Sequence, residues 1–506
     1  MNWLQQSSVL VLGLGDSGLA MARWCARHGA QVTVWDSRTA PPGAAALAAE
    51  LPAVPLLEGE LTAQHLAAHQ LVLKSPGLAP NDARIAPLLQ EARASGIAVL
   101  GELDLFVRAL ADLKEAQGYA PQVLAVTGTN GKTTTTAMTT LLVERAGKSV
   151  ASAGNIGPTL LDTLSAQLQD LPEVWVLELS SFQLEGGGTG VRGFEPSAAV
   201  VMNLTQDHLD WHGTMAAYVA AKARVYGSHA LMVINRDDPR VEALVPAPVV
   251  IKGKTKLSER PLLRFGLDAP QRAGDFGLVV ENGMAWLVRA LPSDETMRRK
   301  KGEEAEIHLQ RLMPVDALRV RGRHNAANAL AALALASAIG CALGPMLHGL
   351  RDYQGQPHRL QFVTVVDEVE AFDDSKGTNV GATVAALNGL GADKVPGKLV
   401  LILGGDGKGQ DFGPLAEPLA RYARAVATIG RDAAVIEAVV QGTGVPLQRF
   451  ESLEAAVAWC FVQARAGDAV LLSPACASLD MFRNYGHRAE VFVAAVQAHA
   501  ADRGQA

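Results

Sequence analysis

The sequence predicts an α/β fold of three domains, each built on a sheet that is mostly parallel. Three observations predict it. Short aliphatic, β-branched runs alternate with helical patterns along nearly the whole chain. Glycine-rich turns follow directly on two of those runs. In the last third, polar clusters recur just after consecutive strand-like runs. At 506 residues the chain is also too long for one core.

The first domain is read as residues 1–114. SVLVLGLG is a strand that enters Gly13-x-Gly15-x-x-Gly18, then a helix, then a second strand, QVTVWD, closed by Asp36. That is full Rossmann spacing, with an acidic residue about 20 positions on. Alone it suggests a nicotinamide oxidoreductase, although other nucleotides use the same turn. A further strand-like run, LVLKSPGL, leaves Ser75, Pro76 and Gly77 at a strand's C-terminal end, where open α/β sheets bind ligands. A plain turn explains that tripeptide equally well. Residues 114–121, KEAQGYAP, break the pattern and read as a linker.

The central domain, residues 115–353, opens on VLAVTGTNGKTTTT. The run ending at Thr127 reads as a buried strand, and a helix is expected over residues 134–146. Between them lie Gly128, Thr129, Asn130, Gly131, Lys132, Thr133 and Thr134. Strand, glycine turn, Lys-Thr and helix start together describe a phosphate-binding loop. Glycine lets backbone N–H groups crowd around phosphate oxygens, and the helix N-terminus adds its positive end. Lys132 brings a cation to the transferred phosphoryl, and the Thr133 hydroxyl can ligate Mg²⁺. The eight-residue form of this loop would place glycine where Val126 stands; the shorter G-T-N-G-K-T is present. An ordinary glycine turn, or a switch protein that only senses ATP, are the competing readings.

Asn155 follows a short strand, and the strand-like VWVLELSSFQL carries Glu178 in its buried half. A buried carboxylate is costly unless paired or bound to metal. His208 lies in LTQDHLDWH, and Lys222 on the helix MAAYVAAKARVY. Taken singly, each could be a satisfied or solvated residue. Glu178 and His208, however, both close strands that follow the loop, and a carboxylate and an imidazole on that face suit a divalent metal. Residues 268–310 read as irregular, with a charge run, MRRKKGEEAE, that looks like a solvated loop or hairpin insertion and not a binding patch. Asn325 and Asn328, three apart in GRHNAAN, share one helix face.

The third domain, residues 354–506, places Asp374, Ser375, Lys376 and Thr378 after one strand. Gly404, Gly405, Asp406 and Lys408 follow a second, and Ser473, Ala475, Ser478 and Asp480 a third. Three such clusters at consecutive strand ends make a site along one edge of a Rossmann-like sheet.

Composition narrows the classes. Hydrophobic residues are 49% and charged residues 19%, which is globular. The net charge of −6, without a basic block, argues against a nucleic-acid partner. No apolar run is long enough to insert in a membrane, and MNWLQQSS lacks signal-peptide layout, so a cytoplasmic location is expected. Four scattered cysteines fit a reducing compartment.

Several motifs resemble the Mur ligases: GTNGKTT, LELSSFQLE, NLTQDHLDWH, GRHNAANALAA, PHRLQF, DDSKGTN, LILGGDGKGQDF and SPACASLDMFRNYGHRAEVF. The resemblance covers residues 11 to about 492. The last three motifs are similar to the D-glutamate-adding branch, and the Asn-Pro-Arg motif of its diamino-acid-adding relatives is absent. It implies phosphorylation of the carboxylate of UDP-N-acetylmuramoyl-L-alanine by ATP, then attack by the D-glutamate amine on the acyl phosphate. Lys132, Lys222, His208, Glu178 and Lys376 would be catalytic. Two Mg²⁺ would use Thr133, Glu178, His208 and Lys222, the last as a carbamate formed with CO₂. Asn325, Asn328, Arg359 and Asp374 would join the loop in holding ATP. Gly13, Leu14, Gly15, Asp16, Ser17, Asp36, Ser37, Arg38, Ser75, Gly77, Asn155 and His208 would bind the UDP-sugar. Lys376, Thr378, Lys408, Ser478 and Tyr485 would take D-glutamate; Tyr485 stands where the family suggests Phe. The segment 268–310 is longer than the family leads one to expect. A monomer is expected, with domains that must close because the site is split between the second and third.

Overall fold

The computed structural model describes the chain except residues 1, 189, 248, 252–253, 257–259, 295–305 and 506. Three parallel-dominated sheets account for most of it.

The first sheet runs Leu56–Leu57, Gln31–Trp35, Ser8–Leu12, Leu71–Lys74, Ala98–Leu100, all parallel. The chain leaves the middle strand by a turn at Gly13, φ +90°, into the helix Asp16–Arg27. A side chain at Gly18 would meet the Gly13 carbonyl at 1.8 Å, so only glycine lets this helix lie so close to the strand. Residues 114–117, read as linker, form the last turn of the helix Glu102–Gln117. The break comes at Gly118, which ends that helix in the left-handed conformation, φ +73°. A polar C-terminal turn on a partly exposed helix is hard to tell from a linker by composition.

The central sheet has the order Leu262–Phe265, Leu231–Asn235, Ala198–Val201, Gln122–Thr127, Val174–Glu178, Val150–Gly154, again all parallel. The loop strand Gln122–Thr127 sits between the strands that lead to Glu178 and to His208. The helix Lys132–Arg145 packs under the alanine-rich helix Arg323–Ala338. The described residues of 268–310 take the hairpin form and not an irregular loop. Phe276–Glu281 and Met284–Pro292 belong to a three-stranded antiparallel sheet completed by Ile307–Pro314. Phe276, Leu278, Leu287 and Met313 from it are buried in the central core. The charge run lies outside the described residues apart from Glu306.

The third sheet has the order Gln361–Val366, Val369–Asp373, Ala469–Leu472, Leu399–Gly404, Ala423–Ile429, Leu447–Arg449, with only the first strand antiparallel. The three polar clusters therefore do follow three adjacent strands.

The domain junctions differ in kind. One apolar cluster runs from Trp24, Leu103 and Phe106 of the first domain to Trp175 and Leu161 of the second. Phe106 meets Trp175 edge to face at 5.1 Å. Buried Glu102 adds a polar bolt, accepting Ser17 Oγ at 2.8 Å and the Leu161 N–H at 3.0 Å. The third domain keeps its own apolar clusters and meets the second through polar side chains described below and through close packing of Gly322, at the start of helix Arg323–Ala338, on Gly389 of helix Val380–Lys394.

Among the described residues no helix is long and apolar enough to cross a membrane.

Candidate active site

The phosphate loop forms because the strand ends at Thr127 and the helix starts at Lys132, leaving four residues to turn. Gly131 caps the helix at φ +81°, and a side chain there would meet Asn328 Oδ1 at 2.6 Å. Thr129 is pinned from both sides: its hydroxyl lies 3.0 Å from Tyr218 Oη and accepts the Thr205 N–H at 3.0 Å. Asn130 N–H donates to Asn203 Oδ1 at 2.8 Å. The loop is thus held open before any ligand arrives.

Lys132 does not reach outward. Its ammonium donates to the carbonyls of Gly128 at 2.9 Å and Thr129 at 2.8 Å, so a phosphate must draw it off its own loop. Lys222, on the helix Met215–Ala223, is 2% exposed and not the solvated residue that its helix suggested. It donates to the same Gly128 carbonyl at 2.8 Å, and its ammonium lies 4.8 Å from the Tyr218 ring centre. Burial, reinforced by the Lys132 cation, holds its pKa well below the ordinary lysine value. Glu178 closes its strand as expected and is buried, with Oε1 accepting from Asn155 Nδ2 at 3.0 Å. His208 is not at a strand end. It lies beyond the loop that follows Ala198–Val201, as the N-cap of the helix Leu209–His212, with φ +53°. Burial, against the favourable charge of Asp207 and with the Lys408, Lys222 and Lys132 cations nearby, pushes its pKa down to about 4. The imidazole is therefore neutral at pH 7.

A cleft of about 290 Å³ opens between the central and third domains. Asn130, Gly131, Thr134, Asn325 and Asn328 line one side, and Arg359, Asp374 and Lys376 the other. Asn328 Nδ2 donates to Asn325 Oδ1 at 3.1 Å, which fixes both amides. Arg359 Nη2 donates to Thr133 Oγ1 at 2.6 Å, and Asn379 and Asn130 exchange amide hydrogen bonds of 3.0 and 3.2 Å. The third domain thus already touches the loop. Asn379, the N-cap of the helix Val380–Lys394, was missed in the sequence, although it closes the DDSKGTN motif. Asp374 is pushed up to about 7 by burial, against the Ser473 hydroxyl and Arg359 that favour its charge. Lys376 is pushed down to about 8 by burial and by Arg359.

Lys376 Nζ lies 3.6 Å from the Tyr485 ring centre. The loop of Lys408 is bridged to that of Ser478 by Asp406 and Ala477, which exchange backbone hydrogen bonds of 3.0 and 2.8 Å. Arg488, fully buried and not singled out in the sequence, ties the Ser375 and Cys476 loops by bonds to Ser375 O, Ser375 Oγ and Cys476 O. Lys408 is exposed and Ser478 buried, while Thr378 N–H bonds to Lys376 O at 2.9 Å.

A second cleft, about 560 Å³, lies between the first and central domains. Gly13, Gly15, Asp16, Ser17, Asp36, Ser37, Arg38, Ser75, Gly77 and Asn155 all line it. Leu14 does not: its side chain is buried in the core, and its N–H is spent on Asp36 at 2.7 Å. His208 is absent from the lining too, but Phe182, which does line it, meets the His208 ring at 4.7 Å. Arg84 is an addition, donating to Ser37 Oγ at 2.7 Å. Asp36 is buried, which would raise its pKa, yet the Arg38 guanidinium and the Leu14 and Arg38 N–H groups hold it down to about 2. With those donors on both oxygens, Asp36 has little left for a ribose 2′-hydroxyl, against the nicotinamide reading.

Comparison with known proteins agrees with this layout. Residues 7–101 match the model of the Mur ligase MurD-like N-terminal domain, residues 126–336 the Mur ligase middle domain, and residues 358–476 the Mur ligase glutamate ligase domain. UDP-N-acetylmuramoylalanine–D-glutamate ligase of Albidiferax ferrireducens is 62% identical over 514 aligned positions, covering 100% of this chain and 99% of that one. The enzyme of the same name from Ralstonia nicotianae is 55% identical, covering 98% of each. Among solved structures, the UDP-N-acetylmuramate-alanine ligase MurC of Thermotoga maritima aligns with TM-score 0.56 at 20% identity, over 97% of this chain and 100% of that one. The MurF ligase of the same organism, solved with ADP, aligns with TM-score 0.57 at 16% identity, over 99% and 96%. At such identities those two speak for the fold alone. With three domain models in order and curated relatives matched end to end, the chain belongs to the Mur ligase family.

Proposed function

We propose that the chain joins D-glutamate to UDP-N-acetylmuramoyl-L-alanine, the two substrates that its relatives' names give, converting ATP to ADP and phosphate in the cytoplasm. The observation that carries this reading is the contact of Arg359 with Thr133. It brings a third-domain cation onto the phosphate loop, whose Gly128 carbonyl also accepts from Lys222. A phosphoryl group held there lies between the UDP-sugar cleft and the third-domain loops.

The sequence of events follows from that placement. ATP enters the cleft of Asn325 and Asn328, its phosphates over the loop N–H groups and the helix N-terminus. Lys132 leaves its loop carbonyls for the γ-phosphate. The substrate carboxylate attacks the γ-phosphorus, the bond to the β-bridging oxygen breaks, and ADP leaves an acyl phosphate. Lys376 and Arg359 face the charge that develops. The neutral amine of D-glutamate, its side-chain carboxylate met by Lys408 and the Ser478 loop, adds to the acyl carbon; phosphate departs and the nitrogen loses a proton.

Magnesium fits this site as a partner of phosphate, not as the occupant of an all-protein cage. Among the described residues no three His, Cys, Asp or Glu side chains converge. Glu178 and Thr133 offer hard oxygen donors at the loop, and phosphate and water would complete the shell. When bound, Mg²⁺ supplies charge neutralisation on the transferring phosphoryl. His208, neutral at pH 7, and Lys222, as a carbamate, are the residues we assign to a second ion. The low proton affinity of Lys222 supports carbamate formation, which needs the free amine.

The test is phosphate release with UDP-N-acetylmuramoyl-L-alanine, with D-glutamate added or withheld, and the product dipeptide identified by mass. Steady release that requires both is expected. Steady release that needs neither refutes the reading and favours a switch that only senses ATP.

A further inference from the structure

Lys74 is a charged group that the proposed chemistry leaves unused. It ends the strand Leu71–Lys74 and is 1% exposed. Its ammonium donates to the Leu78 carbonyl at 2.8 Å and reaches that of Ser75 at 3.3 Å. Those carbonyls are the two ends of the turn Ser75-Pro76-Gly77-Leu78, which walls the cleft between the first and central domains.

The other side of the ammonium belongs to the central domain. The Trp211 ring centre lies 5.1 Å from Nζ, and Glu185 supplies an opposite charge at longer range. Trp211 is itself held: Nε1 donates to Glu185 Oε2 at 3.3 Å, and its ring packs on Phe182 at 4.1 Å. Phe182 lines the same cleft and meets His208, which caps the helix that carries Trp211.

A buried lysine with no carboxylate in contact is costly. An apolar side chain would fill the space without that cost. What the ammonium adds is two bonds that close the turn and a cation facing an indole across the domain junction.

We propose that Lys74 is a positioning residue for this cleft: it sets the Ser75–Leu78 turn and ties it through Trp211 to the Phe182–His208 pair. The proposal rests on reading the cleft as the UDP-sugar site.

Calorimetric titration of UDP and steady-state kinetics on the full chain test it, with Lys74→Met, Trp211→Leu and the double variant. Each single change should raise the UDP dissociation constant and the KM for the UDP-sugar about tenfold, leaving the KM values for ATP and D-glutamate within about twofold. The double variant should fall short of the product of the two single effects, because the Lys74–Trp211 contact is already lost in each. Trp211→Phe, which keeps a ring face, should stay near the unmodified chain. Unchanged UDP affinity in Lys74→Met, effects that multiply in the double variant, or equal losses for all three substrates overturn the proposal. If Lys74→Met does not fold, the contrast between Trp211→Leu and Trp211→Phe decides in the same way. Failure of the unmodified chain to bind UDP refutes the reading of the cleft instead.

Discussion

Replacing Lys222 by alanine separates two accounts of a buried amine. The side chain is 2% exposed, so truncation removes roughly 2.4 kcal/mol of apolar burial, three methylenes at about 0.8 kcal/mol each. Against that, it removes a cation buried beside Lys132, a repulsion the fold now carries. The Gly128 carbonyl keeps its bond to Lys132 at 2.9 Å. The two effects oppose each other, and the variant should remain folded. Activity should not survive. If the amine works as a carbamate holding a metal, its loss removes a negative oxygen ligand, on the scale of about 10²–10³-fold for one electrostatic group at a reacting centre. Acetate should restore part of the rate by occupying the vacated space, whereas Lys222→Arg should resist rescue because its fixed cation fills that space. Phosphate release with increasing acetate is the assay, with mass analysis of the unmodified chain under bicarbonate. Full activity in Lys222→Ala, or plain lysine throughout, would refute the reasoning and leave Lys222 as a buried prop for the loop carbonyl.

Lys132→Ala should lower turnover by at least about 10²-fold while leaving UDP binding, measured by calorimetry, within about twofold, because the loop and the UDP cleft are separate. Lys408→Ala should raise the KM for D-glutamate well above any change for ATP; equal changes would place Lys408 elsewhere. Asp374 titrates near 7 folded and near 4 unfolded, so the unfolded chain holds fewer protons between those values and stability falls as pH rises across them. The cost is absent below pH 4 and complete above pH 7, on the order of 4 kcal/mol. Asp374→Asn should therefore raise the melting temperature of the ligand-free chain at pH 8 and not at pH 4; the reverse pattern would place the proton elsewhere. Small-angle scattering should show the chain more compact with an ATP analogue and UDP-sugar together than alone, with the change lost or reduced in Asn379→Ala.

Much of the site was legible because its chemistry is local. The phosphate loop is set by glycine, Lys and Thr within a single strand-turn-helix unit, and the unit is there, with its helix starting at Lys132, two residues earlier than expected. Glu178 was legible from its place in an apolar strand. What escaped was set by contacts between distant segments. Nothing near Lys74 in the chain foretells Trp211 above it, and nothing near Asn379 foretells Asn130 opposite. The solvated reading of Lys222 failed for the same reason, since its burial comes from the loop that folds over it. His208 was displaced because the chain runs through a loop before reaching it. Residues 268–310 looked irregular because apolar residues there fall on exposed positions, such as Val280 and Met284, as well as buried ones, which blurs the alternation a half-buried strand would show.

The two domain junctions assign different work to the same chain. Between the first and central domains lies a continuous apolar core, bolted by Glu102 and crossed by Phe106 and Trp175. Opening it would expose large aromatic surface, at about 25 cal/mol for each square ångström. Between the central and third domains the contacts near the loop are hydrogen bonds: Arg359 to Thr133, and the Asn130–Asn379 amide pair. Each is worth about 0.5–1.5 kcal/mol net, since water replaces it on opening. Motion is therefore cheap at the second junction and costly at the first. A ligase of this kind must admit ATP and an amino acid and then exclude water from an acyl phosphate, so the mobile junction belongs where those two enter. On the proposed function, the rigid junction would hold the UDP-sugar in its cleft beside the loop, fixing the carboxylate to be phosphorylated while the third domain moves.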